Sequence, residues 1–98
     1  MKKYYSDYVG HCARHYFNSD TMPSPVNNKV SYNNYIAVSN ALDKYEKDQA
    51  LVIRFVYTAD SLPKAVNEIC INRGLKTEAV WYMIQAFERD VALERGLI

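Results

Sequence analysis

Apolar residues recur every three to four positions along most of this chain, and polar breaks divide them into five blocks. In the first block, Tyr5, Tyr8, Val9, Cys12, His15 and Tyr16 share one face, which predicts a helix from about Lys3 to Phe17. The block stops in "NSDTMPSPVNNK", residues 18–29, where two prolines and several Asn, Ser and Asp residues have loop composition. A second helix is expected over 31–45, with Tyr35, Val38, Ala41, Leu42 and Tyr45 inward. "EKD" then reads as a turn in which Asp48 is available as the next N-cap. The third block, "QALVIRFVYTA", contains Val52, Ile53, Phe55, Val56 and Tyr57, all good strand formers. Taken alone it fits a buried strand. It is assigned to helix because its neighbours are helical and a lone strand's backbone groups would find no partner.

"DSLP" opens the fourth block, with Asp60 or Ser61 as cap and Pro63 in the first turn. This helix should run to Arg73 and end at Gly74 in the left-handed conformation. The fifth should start near Thr77, reach about Glu94 and stop at Gly96. Residues 62–95 thereby follow the rules of a helix-turn-helix. Cys70 is small enough for two helices to cross closely, Gly74 permits positive φ, and Leu75 is placed to plug the corner. Val80, Met83 and Ile84 would face back on the fourth helix. At about 100° per residue, Ile84, Phe87 and Val91 fall with Val80 on one stripe. Trp81 lies on its flank, while Glu78, Tyr82, Gln85 and Arg89 lie opposite.

The fold class is therefore all-α, with five helices and no sheet. Its 98 residues suit a single domain, comprising a helix at 1–18, a loop at 19–29 and a helical core at 30–98. Twelve Lys and Arg against eleven Asp and Glu leave a formal charge of +1. Proteins held on DNA mainly by phosphate contacts carry a larger basic excess, so DNA binding here needs local clustering, dimerisation or a partner. Nine tyrosines offer apolar bodies with polar tips, which serve cores and interfaces alike. The tyrosine-rich first helix is accordingly a candidate homodimer surface. No signal-peptide pattern or membrane-length apolar run is present, and Cys12 and Cys70 are expected to be reduced thiols of a cytoplasmic protein.

The stretch "NALDKYEKDQALVIRFVYTADSLPKAVNEICINRGLKTEAVWYMIQAFERDVALERG" resembles the C-terminal region 4 of bacterial sigma factors. The resemblance rests on its "AL..Y" lead-in, an apolar helix ending at Val56–Tyr57, "EIC...GL" and a long final helix. From "YYSDYVGHC" to "ERGLI" the chain looks like small sigma-like proteins of phages and integrative elements of Firmicutes. This implies a regulator that contacts DNA, RNA polymerase or both, without the promoter-melting regions of a complete sigma factor. By position it implies that Lys76, Thr77, Tyr82 and Gln85 face the DNA groove and Arg73 a phosphate. The near-neutral charge and an exposed Trp81–Tyr82 pair also suit a second reading, in which the same scaffold holds a protein such as a host or defence factor that the element inhibits; Arg89 is a candidate contact on either reading.

Other constellations are sparse. "HCARH" sets His11 and His15 one helical turn apart, a spacing that can chelate a metal, but no third or fourth ligand is evident. Ordinary helix packing is the plainer reading of the pair, and no metal or cofactor is expected. Phosphate loops, nucleophile elbows and paired carboxylates are lacking, so the chain is not expected to be an enzyme.

Overall fold

A computed structural model describes residues 3–19 and 21–98. Its elements are α1 (Ser6–Asn18), α2 (Lys29–Leu42), α3 (Lys47–Thr58), α4 (Leu62–Arg73) and α5 (Thr77–Arg95). No strand occurs among the described residues. The ambiguous third block is α3, and its strand-forming residues supply the core as a helical face: Val52, Ile53, Val56 and Tyr57 are all buried. One buried cluster draws on all five helices, including Val9, Val38, Ile53, Val66 and Phe87.

The helix ends show why the elements stop where they do. Asp48 is not the cap of α3. Glu46 is, within a capping box in which its backbone N–H donates to Gln49 Oε1 at 3.0 Å. The helix therefore starts one residue before the position assigned to its cap. Ser61, rather than Asp60, caps α4, and Pro63 occupies its first turn. Gly74 ends α4 at φ 67°, ψ 32°, and the amides of Gly74 and Leu75 both donate to the Cys70 carbonyl. Gly96 closes α5 in the same way at φ 78°, with the Leu97 amide donating to the Ala92 carbonyl.

One expectation about the N-terminal half needs correction. Val9, Cys12 and Ala13 lie in the core, and α1 packs on α2, α3 and α5. The buried face of α1 is rotated from the expected one. Ala13 is inside, whereas Tyr8 and His15 face solvent. An alanine in a polar sequence context carries little hydrophobic signal, so the periodicity weighted the larger tyrosine instead.

The widest helix contact is between α2 and α5. A polar seam borders it, in which Arg95 Nε donates to Asn34 Oδ1 at 2.6 Å and Asn40 Nδ2 to Glu94 Oε1 at 3.1 Å. Tyr45, just past the end of α2 and not within it, donates to Asp90 Oδ2 at 2.9 Å. This seam holds α5 by its C-terminal half. The N-terminal half of α5 instead meets α4 and presents its other side outward.

Candidate interaction surface on α4 and α5

The three-residue connection Gly74–Leu75–Lys76 turns the chain from α4 into α5. Every residue from Ile71 to Ala79 is exposed, so the connection forms a projecting tip. Arg73 is the last residue of α4, Lys76 is the N-cap of α5 and Thr77 is its first residue. The tip thus carries two cationic side chains around a glycine whose backbone conformation fixes the corner. Leu75 does not plug that corner as expected; it is 41% exposed. The corner is closed by the two amide hydrogen bonds to Cys70, which leave the leucine side chain outside.

Beyond the tip, the helical phase of α5 follows the expected stripe. Val80, Ile84, Phe87 and Val91 are buried, and Met83 is half-buried. Tyr82 is 76% exposed, and Gln85 and Arg89 are exposed beside it. Trp81 lies between the two regions, half-buried and packed against the core cluster. The seven singled-out residues consequently form two groups. Arg73, Lys76 and Thr77 stand on the tip, while Trp81, Tyr82, Gln85 and Arg89 border a groove of about 820 Å³.

The opposite wall of that groove comes from α1 and from Leu62–Pro63 at the start of α4. Arg14 reaches it from α1, with its guanidinium carbon 6.0 Å from the centre of the Tyr57 ring. Tyr57 is a floor residue, almost wholly buried, whose hydroxyl donates to Glu88 Oε2 at 2.5 Å. Burial, together with the neighbouring Glu88 carboxylate, pushes the Tyr57 hydroxyl far above the usual tyrosine range. Burial and Asp90 do the same to Tyr45 on the other flank of α5. These tyrosines are held as neutral donors and fix the rotation of α5, which in turn aims Tyr82, Gln85 and Arg89.

Arg14, Glu88 and Asp90 also line the groove, and the sequence alone does not reveal them. Arg14 is off the apolar stripe of α1, and nothing in its local context ties it to residues so distant in the chain. The fold supplies that link by packing α1 on α3 and α5.

Neither cysteine offers a reactive centre. Cys12 and Cys70 are buried free thiols, and burial raises the pKa of Cys12, which disfavours its thiolate. Among the described residues no three His, Cys, Asp or Glu side chains gather as a metal cluster, and no helix is long and apolar enough to cross a membrane. Comparison with protein-family models, with curated proteins and with solved structures finds no match.

Proposed function

We propose that this protein is a small non-catalytic regulator of the sigma-region-4 type, using α4 and α5 as a helix-turn-helix that contacts DNA, RNA polymerase or both. The observation that carries the reading is the exposed outer face of α5 directly after a cationic, glycine-cornered tip. In such a module the second helix enters the major groove by its N-terminal residues. Lys76, Thr77, Tyr82 and Gln85 are the side chains offered to the groove, where Lys76 also reaches its phosphate rim, and Arg73 and Arg89 are offered to phosphates. The sequence resemblance to small sigma-like proteins of mobile elements supports the same assignment. On this reading the protein acts in the cytoplasm, beside DNA and polymerase.

A second reading has its own support. Ile71 is 81% exposed, and Leu75 and Tyr82 are exposed as well. Apolar and aromatic side chains left in solvent on α4, its turn and α5 suit a protein contact. On this reading the same face holds a host protein, and the outcome for the mobile element is inhibition of that protein.

Replacing Tyr82 and Gln85 together with alanine separates the readings. The DNA reading expects selection from a randomised duplex pool to yield a sequence preference with the wild-type protein and none with the variant. It also expects the variant to retain weak, non-specific binding through its cations. Failure of the wild-type chain to enrich any sequence, alone or with RNA polymerase, would sink the first reading.

A further inference from the structure

His11 and His15 stand one turn apart on α1, and the fold does not use them as packing residues: both are exposed. Their rings are neighbours, with centroids 6.4 Å apart and planes inclined by 36°. They border a shallow basin shared with Arg14, Asn18 and Ser19 at the C-terminal end of the helix.

The hydrogen bonds at Ser19 orient one of the two rings. Its hydroxyl donates its single proton to the His15 carbonyl at 2.6 Å. The same oxygen lies 3.5 Å from His15 Nδ1, a long contact in which only the ring nitrogen has a proton left to give. His15 is thereby biased to the tautomer with Nδ1 protonated and the Nε2 lone pair free. An oxygen acceptor on the non-coordinating nitrogen is the usual partner of a metal-bound histidine. Arg14 also borders the basin, and its guanidinium carbon stands 6.0 Å from the centre of the Tyr57 ring.

We propose that His11 and His15 form an open, two-nitrogen chelate for a borderline first-row divalent cation such as Zn²⁺, with water completing the coordination. A zinc ion about 2.1 Å from each ring nitrogen at a tetrahedral angle brings the ring centroids to roughly 5 Å. The rings as placed must therefore swing together by about 1 Å, which exposed side chains do by small χ rotations. The bound geometry needs helical spacing, so the metal binds the folded chain in preference to the unfolded one and stabilises it. Two imidazoles without a thiolate or carboxylate make a site that exchanges its metal readily.

Titration with Zn²⁺ at neutral pH, followed by calorimetry and by the ring ¹⁵N shifts of both histidines, tests the site. One ion per chain is expected, with ring ¹⁵N resonances of both histidines moving together and the melting temperature rising with zinc. His11→Ala and His15→Ala should each lose at least the roughly 10- to 100-fold that removal of an outer-shell partner costs a metal site. Circular dichroism checks that each variant keeps its helix content. Unmoved ring shifts in the wild-type protein, or wild-type affinity in either single variant, would overturn the proposal.

Discussion

At the residue scale, Gly74 and Tyr57 make the sharpest demands. A Cβ built on Gly74 meets no atom within 4 Å, so replacing this glycine costs backbone strain and nothing else. Gly74→Val should lose about 1–3 kcal/mol, Gly74→Ala less, and Gly74→Asn least, because asparagine tolerates the left-handed region. Thermal melts of the three variants should fall in that order, and equal melting temperatures would contradict the assigned corner. Tyr57→Phe removes a donor from a part-buried carboxylate acceptor, at a cost of about 1.5–3 kcal/mol. The folded pKa of Tyr57 is raised, so its proton stabilises the fold below the ordinary tyrosine value of about 10 and the benefit falls as pH climbs towards the folded value. Above pH of about 10 the wild-type protein should lose up to about 1.4 kcal/mol per pH unit through this group, and Tyr57→Phe should show a shallower alkaline decline. Gly74 was legible in the sequence, since a glycine between two amphipathic blocks has one main use. The role of Tyr57 was not, because its partner is set by tertiary packing.

At the element scale, α5 was read well and α1 poorly, for a physical reason. The α5 stripe consists of large apolar residues at regular spacing, so the phase is unmistakable. In α1 the tyrosines are amphipathic, and the helix rotates to bury Ala13 while Tyr8 donates to and accepts from Asn34 at the surface. The α5 phase predicts that Tyr82→Ala with Gln85→Ala leaves stability within about 0.5 kcal/mol of wild type, as surface changes usually do. Trp81 behaves differently. Its half-buried packing against the core means that Trp81→Ala should cost about 1–3 kcal/mol, below the 3–5 of a fully buried aromatic. A loss of partner binding in that variant would mix folding with recognition, so Trp81 is a poorer probe than Tyr82. Urea melts of the two variants check the contrast, which fails if Trp81→Ala is neutral.

Across the whole molecule, charge decides how DNA would be held. Arg73 and Lys76 on the tip and Arg89 along α5 are the cations on the proposed face, against an overall charge of only +1. Non-specific attraction is therefore small, and affinity has to come from few phosphate contacts plus base contacts. The all-helical class and the order of five helices were legible because each block ends in a glycine, proline or capping residue. The groove between α1 and α5 was not, since it exists only once the two ends of the chain are packed together. On the proposed function, α4 and α5 hold nucleic acid by this small cationic set. Fluorescence polarisation of a selected duplex at a series of salt concentrations measures it directly. With about three phosphate contacts, the logarithm of affinity should fall against the logarithm of salt with a slope near −2.7, and Lys76→Ala should make that slope shallower by about one unit. A salt-independent affinity, or no binding at low salt, would contradict the account and leave the face to a protein partner.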